Sequence, residues 1–157
     1  MALIRNAGIP GDTTGHMLYR LNRDVLDLHP DVLFVLGGTN DVGYGVPDSV
    51  VVDNIRRIVE KAQGQGVSVV LLTIPPNNLM DVSGRWHYTA INAGLAALGQ
   101  EAGILIVDVH SVLATPDGGL RGDYAADDGL HLTVSGEQAI ADAVYRALHP
   151  AGLPRTD

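Results

Sequence analysis

The sequence contains no cysteine. This absence excludes disulfides, thiol catalysis and thiolate metal sites, although it does not assign a compartment. Basic residues are also scarce, with 10 lysines and arginines against 18 aspartates and glutamates and a formal net charge of −8. An acidic chain without a basic cluster repels phosphate backbones, so we expect no nucleic-acid partner.

Long apolar runs are missing as well. No stretch approaches the roughly 18–20 residues that a membrane span needs, so we expect no spanning helix. The first five residues do not resemble a signal peptide, and the localisation stays undetermined. The length of 157 residues and the 46% hydrophobic content fit one globular domain. We expect a single domain over residues 1–150 and a frayed tail over 151–157.

Strand-like and helix-like segments alternate along the chain. Apolar runs of strand length predict buried parallel strands, and apolar residues at helical spacing predict helices between them. This alternation predicts an α/β fold, a parallel sheet covered on both faces. The predicted strands are 3–6, 31–36, 67–74 and 103–108, and the predicted helices are 15–28, 48–63, 87–101 and 134–148.

Polar clusters fall where the predicted strands end. Residues 6–12 follow the first strand, residues 37–41 follow the second, and residues 128–131 precede the last helix. Ligands of open α/β sheets bind outside the carboxyl ends of the strands. Taken singly, each cluster has a purely structural explanation, because glycine, asparagine and aspartate are common in turns and helix caps.

Taken together, the clusters fit acyl transfer. The reaction needs donors aimed at a developing oxyanion, and the backbone N–H of Gly11 and the side-chain amide of Asn40 are candidates. It also needs a histidine base oriented by a carboxylate. The three-residue spacing of Asp128 and His131 lets the carboxylate reach the imidazole Nδ1–H and leaves Nε2 free. This chemistry requires no cofactor and no metal.

The motifs resemble those of the SGNH (GDSL-type) hydrolases. Asn6-x-Gly8-x-x-Gly11-Asp12-Thr13 resembles the second sequence block of that family, Gly38-Thr39-Asn40-Asp41 the third, and Asp128-Gly129-Leu130-His131 the fifth. The resemblance implies a flavodoxin-like, three-layer α/β/α fold and a serine esterase. Its substrate would be a small-molecule ester, with a lean toward short acyl or acetyl groups carried by a sugar or a lipid.

The same resemblance assigns roles to four residues. Gly11 and Asn40 would form the oxyanion hole, His131 would be the base, and Asp128 would orient it. The family's first block, a Gly-Asp-Ser-Leu-like motif that carries the nucleophile, has no counterpart before Asn6. Five serines are present, and we expect none of them to replace it: Ser49, Ser68, Ser83, Ser111 and Ser135. Ser83 and Ser111 are predicted to lie in loops at the correct end of the sheet.

We therefore expect the nucleophile, and the first strand of the sheet, to lie outside this chain. Three arrangements would complete the sheet: a longer polypeptide, a partner subunit in a homo-oligomer that supplies the strand, or direct pairing of the first segment with residues 31–36. Two other functions stay open. One is a catalytically inactive relative with a ligand-binding or structural role. The other is a metal-assisted hydrolase that adds His110 or Asp127 to Asp128 and His131, although the Asp-x-x-His pair alone has too few ligands.

Overall fold

A computed structural model describes residues 4–79 and 82–149, with the side chains of residues 82–86 excepted. Its sheet contains three parallel strands in the order β1 (Val32–Val35), β2 (Ser68–Leu72) and β3 (Leu105–Val107). Because all three run in one direction, their carboxyl ends share one edge of the sheet. The helices are α1 (Thr14–Asp24), α2 (Thr39–Gly43), α3 (Asp48–Gln63), α4 (Val82–Ala102), α5 (Val109–Leu113) and α6 (Val134–Leu148).

The helix boundaries follow local side-chain chemistry. The Thr13 hydroxyl accepts the His16 N–H and caps α1, and the Thr133 hydroxyl accepts the Gly136 N–H and caps α6. The predicted helices 48–63 and 134–148 are confirmed at both ends. The predicted helix 15–28 is split. Its regular part ends at Asp24 because Val25 leaves helical geometry, and a short 3₁₀ turn follows.

Two apolar clusters place helices on both faces of the sheet. The larger one packs α1, α3 and α4 against Val35, Val69 and Leu71. The smaller one packs α5 and α6 against Val70, Leu72 and Val107 on the opposite face. Consecutive strand residues point to opposite faces, so β2 and β3 contribute to both clusters. The result is the predicted three-layer arrangement of helices, parallel sheet and helices.

Strand β1 is covered on one face only. Phe34 lies on the same face as Val70 and is 48% exposed, and Val32 and Leu36 are comparably exposed. The prediction of a strand buried on both faces is therefore wrong for this face. The physical reason is that α5 and α6 pack on β2 and β3 and do not reach β1. In the described part of the chain, no strand pairs with the outer edge of β1.

The first predicted strand is a second correction. Residues 4–6 have no regular secondary structure, and Ile4 is 90% exposed. A strand is stabilised by a hydrogen-bonded neighbour, and nothing within the described ranges offers one to this segment. Direct pairing of residues 4–6 with β1 is therefore also wrong. The predicted tail 151–157 lies outside the described residues. Among the described helices, none is long and apolar enough to cross a membrane.

Candidate active site

The Asp128–His131 pair lies in the loop that leads into α6. Asp128 Oδ2 lies 2.5 Å from His131 Nδ1, so the hydrogen bond expected from the spacing is present. The pair is open to solvent, since the side chains are 51% and 76% exposed. With Nδ1–H donated to the carboxylate, Nε2 is left as the acceptor of the neutral imidazole.

The conformation of the turn holds the carboxylate in place. Asp128 Oδ1 accepts the backbone N–H groups of Leu130 and His131, both at 2.9 Å. Gly129 makes this tight turn possible with a φ of +67°. The hydrogen bond from His131, followed by those from the two backbone N–H groups, lowers the pKa of Asp128 to about 2. The carboxylate is therefore charged throughout the neutral range, as an orienting partner of histidine must be.

Asn78 connects the turn at Asp128–His131 to the segment that follows β2. It follows β2, and its backbone N–H donates to the Gly129 carbonyl at 2.8 Å. Its side chain exchanges two hydrogen bonds with the backbone of Leu120, at 2.9 and 2.8 Å. Sequence reasoning missed this residue, because an asparagine after two prolines is also typical of an ordinary turn.

Gly11 and Asn40 lie in two neighbouring segments at the carboxyl edge of the sheet. Gly11 has a φ of +81°, and no acceptor in the described part of the chain takes its N–H. Asn40 belongs to α2, which begins immediately after Gly38 at a φ of +119°. Asn40 Nδ2 donates to the Asp12 carbonyl at 2.8 Å, which brings its amide next to the Gly11 segment. No acceptor within the described ranges takes the other amide hydrogen of Asn40, which can therefore donate to a ligand.

The structure thus brings the four candidate residues together as two pairs. Asp128 contacts His131, and Asn40 contacts the segment that carries Gly11. Both pairs lie beyond the carboxyl ends of strands. Across the described residues, no hydrogen bond joins one pair to the other.

The serines follow local structure. Ser68 begins β2, while Ser49 and Ser135 lie in the first turns of α3 and α6. The loop predictions for Ser83 and Ser111 are wrong, since these residues belong to α4 and α5. Asp108 caps α5 by accepting the Ser111 backbone N–H, and this places its carboxylate beside the Ser111 hydroxyl, which donates to it at 2.6 Å. A hydroxyl bonded to this carboxylate is not activated by a histidine.

Metal ligands are not clustered in the described residues. No group of three or more histidines, aspartates or glutamates is arranged there to hold an ion. His110, a candidate ligand, is held elsewhere, with its Nδ1 2.9 Å from the Ile74 carbonyl oxygen.

Comparison with known proteins gives consistent results. Residues 1–139 match the model of the GDSL-like lipase/acylhydrolase family. An arylesterase of Vibrio mimicus is 31% identical over 146 residues, which are 91% of this chain and 68% of that protein. The esterase TesA of Pseudomonas aeruginosa is 27% identical over 149 residues, 92% of this chain and 69% of that protein.

The fold is similar to that of solved structures. A GDSL-like lipase from Bacteroides thetaiotaomicron superimposes with a TM-score of 0.84 at 23% identity, covering 92% of this chain and 75% of that one. The three-layer α/β/α fold that the resemblance implied is confirmed by this match. With its family model matched over residues 1–139, the chain belongs to the GDSL-like lipase/acylhydrolase family.

Proposed function

We propose that the chain forms the oxyanion hole and the His–Asp part of a serine esterase that hydrolyses small carboxylic esters, with short acyl or acetyl groups preferred. The nucleophilic serine is supplied from outside these 157 residues. The observation that carries the proposal is the Asp128–His131 hydrogen bond, which leaves Nε2 of a solvent-accessible imidazole free to act as a base.

The mechanism follows from what each group can do. The incoming serine hydroxyl attacks the ester carbonyl while His131 Nε2 takes its proton. Asp128 accepts the Nδ1–H and stabilises the imidazolium that forms. The Gly11 N–H and the free Asn40 amide hydrogen donate to the tetrahedral oxyanion. His131 then returns the proton to the leaving alcohol, and a water molecule cleaves the acyl-enzyme in the same way.

The outer edge of β1 supports the proposal that the nucleophilic serine lies outside these 157 residues. A parallel strand paired along this edge would end beside residues 38–40, which carry one oxyanion donor. A helix that follows such a strand would cover the exposed face formed by Val32, Phe34 and Leu36. The greater length of the relatives also agrees with this, since the match covers 68% of the arylesterase and 75% of the lipase. We place the strand in the same polypeptide, with a partner subunit as the competing source.

The first test is hydrolysis of p-nitrophenyl acetate by two proteins, the 157-residue chain and the chain extended by the residues encoded upstream of it. We expect the extended protein alone to be active. Its activity should fall about 100- to 1,000-fold in Asn40→Ala, the usual loss for an oxyanion donor, and at least as much in His131→Ala. His149→Ala is the matched control, because among the described residues His149 bonds only to Tyr145 at the end of α6 and stacks on its ring.

The outcomes separate the parts of the proposal. Unchanged hydrolysis in Asn40→Ala and His131→Ala would refute the mechanism. Hydrolysis by the 157-residue chain that depends on His131 would refute an external serine. If that activity appears only in an oligomer, a second copy of the chain completes the sheet, and the nucleophile still lies within these 157 residues. Ester binding without turnover in the extended protein would instead support the alternative of an inactive, ligand-binding relative.

A further inference from the structure

Asp41 is a buried carboxylate with two bonds to one residue. It has no exposed surface, and neither has Thr14. The Thr14 hydroxyl donates to Asp41 Oδ1 at 2.6 Å, and the Thr14 backbone N–H donates to Oδ2 at 2.9 Å. The Thr14 hydroxyl in turn accepts a hydrogen bond from Asn54 of α3 at 3.1 Å. A charge buried this deeply is tolerated only when its oxygens are bonded, so both bonds are needed.

These residues lie directly beside the two oxyanion donors. Asp41 follows Asn40 in α2, and Thr14 lies three positions after Gly11, where α1 begins. The N–H of Thr14 belongs to the first turn of α1, whose N–H groups have no partner within the helix and whose dipole favours a negative charge. Asp41 therefore caps α1 from a different segment of the chain.

The Asp41–Thr14 hydrogen bonds and the Asn40–Asp12 hydrogen bond connect the same two segments in different ways. The Asn40–Asp12 contact bonds a side-chain amide to a carbonyl, and it uses the same amide group that would bind the oxyanion. The Asp41–Thr14 pair uses neither the Gly11 N–H nor the Asn40 amide. Its hydrogen bonds are buried and have a charged acceptor, so they are stronger than the bond between Asn40 and Asp12. The pair can hold the two segments at a fixed separation while the donors stay free for substrate.

We propose that Asp41 and Thr14 are positioning residues that set the separation between the Gly11 N–H and the Asn40 amide. This inference rests on the proposed esterase function. Oxyanion stabilisation depends on donors that are already in place before charge develops, and a misplacement of about 1 Å costs up to 100-fold in rate. Ground-state binding of the ester depends far less on that separation. Loss of the pair should therefore lower kcat and leave KM nearly unchanged.

The experiment compares two substitutions of the same residue. Thr14→Val keeps the shape of the side chain and removes the hydroxyl, whereas Thr14→Ser keeps the hydroxyl. With p-nitrophenyl acetate and the extended protein, we expect kcat to fall about 10- to 100-fold in Thr14→Val, with KM within twofold. Thr14→Ser should restore kcat to within about threefold. Thr73→Val is the matched control, since Thr73 is also buried and its hydroxyl also donates to a carboxylate, that of Asp108.

Hydrogen–deuterium exchange supplies a readout that needs no activity. Thr14→Val should speed exchange in residues 7–13 and 38–44 together and leave β2 unchanged. Exchange and kcat that both match the native protein would overturn the proposal. So would a kcat loss in Thr73→Val equal to that in Thr14→Val, or a failure of Thr14→Ser to restore kcat. If the native protein shows no hydrolysis that depends on His131, the proposed function fails, while the exchange data still decide whether the pair couples the two segments.

A milder variant covers the case in which Thr14→Val does not fold. Asn54→Ala removes the hydrogen bond that the Thr14 hydroxyl accepts, and with it a contact that fixes this hydroxyl opposite Asp41, so it weakens the Asp41–Thr14 pair without deleting either partner. We expect a kcat loss of roughly threefold to tenfold at constant KM, a fraction of the full misplacement effect. Native kcat together with native exchange in this variant would overturn the proposal.

Discussion

The substitution Gly38→Ala tests how α2, and with it Asn40, is held in place. Gly38 has a φ of +119°, where an alanine costs about 1–3 kcal/mol. A methyl group there would also lie 2.5 Å from Ile74 Cδ1 and 3.3 Å from Val51 Cγ1. Ile74 and Val51 have no exposed surface, so neither can move aside freely. Overpacking of this kind costs about 1–3 kcal/mol more.

We therefore expect Gly38→Ala to lower the free energy of unfolding by about 2–6 kcal/mol. At a urea dependence near 2 kcal/mol per molar, the midpoint should fall by roughly 1–3 M. The assay is urea unfolding of the purified 157-residue chain, followed by circular dichroism. Gly43→Ala is the matched control at the other end of α2. Apart from its chain neighbours and the backbone of α2 itself, no atom of the described residues lies within 4 Å of its added methyl. Its φ is not positive, so we expect a change of at most about 1 kcal/mol.

A double-mutant cycle separates the two causes. Ile74→Val removes the Cδ1 atom that the new methyl meets, at a cost of its own of about 0.5–1.5 kcal/mol. In the double mutant, Ile74→Val should remove the destabilisation that comes from the steric clash and leave the destabilisation that comes from the positive φ. The coupling free energy between the two substitutions should therefore be about 1–3 kcal/mol. A midpoint for Gly38→Ala equal to that of Gly43→Ala would refute the reasoning on backbone and packing alike. Zero coupling with Ile74→Val would refute the packing part alone.

Four further predictions concern the His–Asp loop and the helix that follows it. Since the hydrogen bond from His131 is the largest cause of the low pKa of Asp128, about 2, His131→Ala should raise that pKa, as measured by carbon NMR of the carboxyl group; an unchanged titration would contradict this cause. A lowered carboxyl pKa stabilises the fold above the unfolded-state value near 4, and this contribution should disappear as the pH falls toward about 2. Asn78→Ala leaves two backbone groups of a neighbouring loop without partners and should lower unfolding stability by about 1–3 kcal/mol, whereas a native urea midpoint would show that water replaces them. Gly136→Ala places a methyl 2.9 Å from the Tyr124 carbonyl oxygen and should cost about 1–3 kcal/mol, and a stabilised protein would contradict the close approach.

Much of the fold was predictable because its signals are local. The helices 48–63 and 134–148 follow from the helical spacing of apolar residues and from the helix-breaking residues that flank them, and both are confirmed. The Asp128–His131 contact spans three residues, so the spacing alone brings the two side chains within reach. The short helices α2 and α5 were missed, because five residues are too few to display a helical period.

The remaining features depend on contacts between distant parts of the chain. The Thr14–Asp41 bonds join residues 27 positions apart, and the Asn78–Leu120 bonds join residues 42 positions apart. No local pattern specifies such partners, since they meet only when the helices have packed on the sheet. The half-exposed face of β1 has the same origin. Its apolar residues determine that the segment forms a strand, but burial depends on which helices pack over it, and α5 and α6 pack over β2 and β3 instead.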